Sequence, residues 1–109
     1  MSNFNYAGVA VTEKVSGAQS QASATAIPER QMQVISWSGS SSINSCVVTL
    51  AFGSTEQANH HANSGIAAGE YYGDNGPIAA ENTAVTVTTD NRKGGIGWSS
   101  ANLVYRIVV

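Results

Sequence analysis

Apolar and polar residues alternate along most of this chain, and that alternation predicts strands. In "CVVTLAF", Cys46, Val48, Leu50 and Phe52 fall on one side and Val47, Thr49 and Ala51 on the other, as successive side chains of an extended chain must. "AVTVTTD" turns Val85 and Val87 inward with Thr86 and Thr88 outward, and "NLVYRIVV" aligns Leu103, Tyr105, Ile107 and Val109 against Val104, Arg106 and Val108. "YAGVAVTEKV" and "MQVISW" are shorter in pattern but rich in β-branched residues, and they read the same way. Helical periodicity is nowhere sustained.

Turn-rich segments separate these runs. "GAQSQASATAIPER" reads as a polar loop ahead of the second strand, and "SGSSSINS" as a hairpin loop joining two strands. "GDNGP" stacks Asp74, Asn75, Gly76 and Pro77 into a strong turn signal, and "TDNRKGGIG" resembles another hairpin end. "GIAAGE" is echoed by "PIAAE", an echo too short for a repeat architecture. Short strands between Gly, Ser and Asn turns predict an all-β single domain over residues 1 to 109. The expected form is an antiparallel β-sandwich of jelly-roll or immunoglobulin-like topology, with little or no helix. Its core should be drawn from Val34, Ile35, Trp37, Val48, Leu50, Phe52, Val85, Val87, Leu103, Tyr105 and Ile107.

Charge changes the picture more than size does. Only 11% of the 109 residues are charged, less than half the usual share of roughly 25%. Ser, Thr, Asn, Gln, Ala and Gly must therefore cover the surface, and such a surface can be buried against partners with few ions to desolvate. Net charge is −2, and Lys14, Arg30, Arg92, Lys93 and Arg106 are scattered. Nucleic-acid binding needs clustered cations, so it is not expected. Arg92 and Lys93 stand together but read as loop charges.

The lone Cys46 sits in an apolar run and reads as a buried thiol. "MSNFNYAG" lacks the basic start and apolar stretch of a signal peptide, and no apolar run approaches a membrane span. The expectation is a chain made in a reducing cytoplasm, with no membrane partner.

Chemistry has few places to sit. The two histidines lie together in "EQANHHANSG". If that segment were helical, Glu56 and His60 would share a face and could hold a metal. His61 would diverge by about 100°, so a further ligand, Asp74 or Glu70, would have to come from elsewhere. The preferred reading is a surface loop, with one helical turn at most, that holds no metal and uses its amides and hydroxyls against a neighbouring chain.

No "GxSxG" elbow accompanies the serines, and the seven acids are dispersed rather than paired. "GGIGW" precedes a strand and not a helix, and "GDNG" has too few oxygens for a calcium loop. Neither catalytic, cofactor nor metal residues are expected, and no enzyme. Trp37 and Trp98, with Tyr71 and Tyr72, could stack on sugar rings if exposed on one face, which gives a lectin as an alternative function. A small metal-dependent enzyme using His60 or His61 is a third. If Tyr71 and Tyr72 lie on a strand, one ring is buried and the other exposed.

One stretch resembles a family. "VVTLAFGSTEQANHHANSGIAAGEYYGDNGPIAAENTAVTV", followed by "NLVYRIVV", looks like the small β-sandwich modules of tailed-bacteriophage virion proteins. Gly53 and Ser54 match the strand end of those modules, and Pro77, Ile78, Ala79 and Ala80 match their turn. Glu81–Asn82 stands where Gly–Glu is the pattern, and Gly69–Glu70 supplies that pair earlier. The resemblance covers about residues 46 to 109. It implies a structural role in the virion, with no catalytic residues to carry over. The best form is a capsid decoration (cement) protein, and a spike, fibre or neck component is the alternative. It also implies the major capsid protein or other virion proteins as partners and a homo-oligomer, best a trimer. Residues 1 to 17 would be an arm or edge strand contacting neighbours.

Overall fold

The computed structural model of the chain describes residues 11–17, 21–42, 45–63, 66–90 and 98–108. Among these residues it is an all-β domain of nine strands and one short 3-10 turn. The strands are β1 (Val11–Gly17), β2 (Gln21–Ala26), β3 (Met32–Ser41), β4 (Ser45–Phe52), β5 (Thr55–Asn63), β6 (Ala68–Tyr71), β7 (Ile78–Ala79), β8 (Val85–Asp90) and β9 (Ser99–Ile107). One sheet runs β1-β9-β3-β6, with β7 also paired to β3, and the other runs β2-β8-β4-β5. Every pairing is antiparallel.

The nesting of pairs identifies the winding. With the two-residue β7 set aside, the first strand pairs with the last, the second with the next to last, and so inward: β1–β9, β2–β8, β3–β6, β4–β5. One long hairpin has been rolled over so that β3–β9 and β4–β8 join the pairs into two sheets. That is a jelly roll. An immunoglobulin-like order is thereby set aside.

Alternation works as the sequence implies where the side chains are large. Val34, Trp37, Val48, Leu50, Val85, Val87 and Leu103 are fully buried, and Ile35 and Tyr105 nearly so. Phe52 and Ile107 pack on the core from its rim. Each buried Val or Leu contributes about 1.5–3 kcal/mol relative to exposure. A β-bulge between Val34 and Ser36 adds one residue to β3. It lets both Val34 and Trp37 face inward, which strict alternation forbids.

Four readings need correction. "QASATA" is a strand and not part of a polar loop: β2 buries Ala22, Ala24 and Ala26 while Gln21, Ser23 and Thr25 face out. Alanine is too weak a strand former and too small a hydrophobe to announce this. "SGSS" belongs to β3, with Ser41 buried, and the chain then passes to β4 in the other sheet, so this connection is no hairpin. "TDNRKGGIG" likewise links β8 to β9 in opposite sheets. Finally, "EQANHHAN" is neither loop nor helical turn. It is β5, an edge strand zipped to β4 from Ser45↔Asn63 to Phe52↔Thr55.

Gly53 begins the two-residue turn of that hairpin at φ 59°, the positive value such turns require. Residues 1–10 of the expected arm, Arg92, Lys93 and the "GGIG" stretch lie outside the described residues. Residues 11–17 form an edge strand on β9.

The polar end of the core needs a glycine. A β-carbon on Gly39 would fall 1.8 Å from Thr89 Oγ1. Without it, Thr89, fully buried on β8, donates across the sandwich to the Ser100 carbonyl at 2.7 Å.

Candidate functional site at the seam between β5 and β6

β5 ends one sheet and β6 ends the other, and the four residues of β6 leave this flank of the sandwich short of cover. Side chains from three strands meet there. Trp37 enters from β3, aimed inward by the bulge, and is 0% exposed. His60 lies on the inner side of β5, between Ala58 and Ala62, which both touch the core. Its ring stacks on Trp37 with centroids 5.5 Å apart and planes 30° from parallel. Glu70 stands opposite Trp37 in the β3–β6 register, and its Oε2 lies 3.3 Å from His60 Nε2. Tyr72 closes the group.

A chain of hydrogen bonds runs through these residues. Trp37 Nε1 donates to the Tyr72 hydroxyl at 2.9 Å, and that hydroxyl donates to Glu70 Oε2 at 3.2 Å. The buried indole N–H is therefore satisfied, which a tryptophan in a core normally requires. The Tyr72 amide also caps the bulge, donating to the Ile35 carbonyl at 2.7 Å. Burial raises the Tyr72 phenol above its ordinary range; donation from Trp37 opposes the shift, and the Glu70 charge and hydrogen bond add to it. His60 and Glu70 are both partly exposed, so their direct pairing contributes no more than about 1 kcal/mol.

The residues singled out in the sequence are distributed by this geometry. Glu56 and His60 share no face of a helix; four strand residues place them about 13 Å apart along β5. Glu56 instead accepts from Asn59 Nδ2 at 2.7 Å. His61 points to the opposite side of β5 from His60 and is exposed. Asp74 sits in the 3-10 turn Gly73–Asn75 and pairs with Arg106 at 3.0 Å. Gln33, buried, fastens the same turn by donating to the Asp74 and Gly76 carbonyls at 2.8 and 3.1 Å. Among the described residues no three His, Cys, Asp or Glu gather to hold a metal. Cys46 is buried, and burial first, then the Asp90 charge, raises its thiol.

The aromatics divide sharply. Trp37 cannot stack on a sugar, because none of it is exposed. Tyr72 is half-buried with its hydroxyl spent, while its neighbour Tyr71 is 80% exposed. Trp98 is 45% exposed and exchanges hydrogen bonds with Ser42, beyond the end of β3. Tyr71 pairs opposite Ser36, so six residues of extended chain, about 20 Å, separate the two exposed rings. They form no common platform for one sugar.

The Trp37–His60–Glu70–Tyr72 group was not visible as a unit in the sequence. The Tyr71–Tyr72 doublet hints at it by requiring one ring to turn inward, and from the sequence Glu70 joins the histidines only as a candidate metal ligand. Compared with known proteins, the chain matches no family model, no curated protein and no solved structure, so its place among folds rests on the strand order alone.

Proposed function

We propose that this protein is a non-enzymatic structural component of a tailed-bacteriophage particle, acting as a capsid decoration protein that stabilises contacts between capsid subunits. A jelly roll serves many functions, so the fold does not carry this reading. The surface carries it. The outer face of the β2–β8–β4 sheet is paved with hydroxyls that bond one another, Ser23 with Thr88 at 3.4 Å and Thr25 with Thr86 at 3.2 Å. On the other sheet Ser40 and Ser100 do the same at 3.0 Å. Such faces carry few charges and hydroxyls that are already hydrogen-bonded, so burying them against a neighbour desolvates few ions.

β5 adds a second docking element. It is nine residues long, ends its sheet, and carries no Lys, Arg or Pro to discourage a further strand. A segment of a neighbouring subunit could pair along it. A homotrimer is the assembly implied by the resemblance to phage modules, and closed cyclic symmetry covers such edges.

The decisive measurement is copy number. Quantitative mass spectrometry of purified particles should find the chain in a fixed ratio to the major capsid protein. Recombinant chain should also bind undecorated capsids to saturation, and sedimentation should show a trimer free or bound. Absence from particles, together with failure to bind capsids, would falsify the proposal.

A further inference from the structure

We infer a binding subsite for a neutral sugar ring on the outer face of β3 and β6, against Tyr71. The inference does not rest on the virion reading. An open depression of about 410 Å³, lined by Ser36, Ser38, Ala67, Gly69, Glu70 and Tyr71, lies at this place. That is toward the small end of ligand sites, which run roughly 300–1,000 Å³.

The floor is bare backbone by necessity. A β-carbon on Gly69 would fall 1.9 Å from the Trp37 carbonyl oxygen, so no side chain can stand there. Tyr71 forms the wall. Its ring is 80% exposed and lies beside Gly73, whose φ of 63° favours glycine. A tyrosine ring has only two side-chain torsions to fix, so it loses little freedom when a ligand stacks on it.

The polar groups suit a polyol. Ser36 and Ser38 face outward on either side of inward-facing Trp37, opposite Tyr71 and Gly69 in the register. Their hydroxyls are about 7 Å apart by strand spacing. Neither has a hydrogen-bond partner among the described residues, whereas Ser40 further along β3 is bonded to Ser100. They remain available to donate to and accept from sugar hydroxyls, while the apolar C–H face of a pyranose lies on Tyr71.

Charge selects the class. Among the described residues no cation lines the depression, and the Glu70 carboxylate turns inward to His60 and Tyr72, so an acidic sugar finds no counter-ion there and a neutral one is favoured.

The test is a titration of the isotope-labelled full chain, followed by amide chemical shifts, with glucose, galactose, mannose and N-acetylglucosamine, and with glucuronate as the anionic comparison. The expected result is saturable shifts at Ser38, Gly69 and Tyr71 with at least one neutral sugar, at a Kd in the millimolar range typical of weak single-site contacts, about 1 mM or above. Tyr71→Ala, exposed and safe for folding, should weaken binding roughly three- to tenfold, and Trp98→Ala should leave it unchanged. Three outcomes would overturn the site: no saturable shift at these residues with any neutral sugar, binding undiminished in Tyr71→Ala, or glucuronate binding as tightly as the neutral sugars.

Discussion

β2 and β5 close the two ends of the same sheet, and both alternate alanine with polar residues. On β2 the alanines are sealed, with Ala22 and Ala24 each 1% exposed and Ala26 7%. On β5 only Ala62 is as deep, at 6%; Ala58 is partly buried and His60 between them is exposed. The difference lies across the gap. β2 faces β1 and β9, strands of seven and nine residues, whereas β5 faces β6, which has four. The same small side chain is core at one end and rim at the other, because burial is decided by what stands opposite. At the uncovered end, the missing apolar surface is replaced by a stacked imidazole and a hydrogen-bonded carboxylate.

This contrast can be broken most severely at its centre. Trp37→Ala should cost about 3–5 kcal/mol, measured by denaturant unfolding, since it empties the largest buried site and strands the Tyr72 hydroxyl. Overpacking tests the two ends directly. Ala24→Leu should destabilise by about 1–3 kcal/mol, while Ala58→Leu on the open flank should cost well under 1 kcal/mol. Equal losses would mean that the flanks are equally closed.

The adjacent histidines sharpen the comparison further. His60→Ala removes the ring on Trp37 and the partner of Glu70, and should cost roughly 0.5–1.5 kcal/mol. His61→Ala, on the exposed side, should fall within about 0.5 kcal/mol of zero.

The smallest effect is alkaline. Cys46 and Tyr72 both have raised folded pKa values. For a group raised on folding, stability is fully present below its unfolded pKa and is lost as pH rises through the folded one. Thermal stability should therefore decline once the pH passes the ordinary thiol range, and more gently in Cys46→Ala. The thiol should also resist alkylation at neutral pH until the protein unfolds.

The large apolar residues of β4, β8 and β9 determined their own strands. A Val or Leu on the wrong face forfeits about 1.5–3 kcal/mol, so their alternation sets register and burial together. From these runs the sandwich class and the core positions Val48, Leu50, Val85, Val87, Leu103 and Tyr105 followed directly. Alanine, serine, asparagine and histidine carry far less transfer energy per residue, so "QASATA", "SGSS" and "EQANHHAN" hold no such instruction alone. Those segments became strands because β8, β9 and β4 offered them complete ladders of backbone partners.

The seam is a stronger case of the same rule. Trp37, His60, Glu70 and Tyr72 are distant in sequence, and a bulge at Ile35 decides which way Trp37 points. A bulge has no sequence signal here: it is held by a hydrogen bond from the Tyr72 amide to the Ile35 carbonyl and by one from the Val34 amide to the Pro77 carbonyl. Side-chain direction in a strand flips with a shift of one residue. The meeting of these four side chains was therefore settled only when the two sheets had fixed their registers.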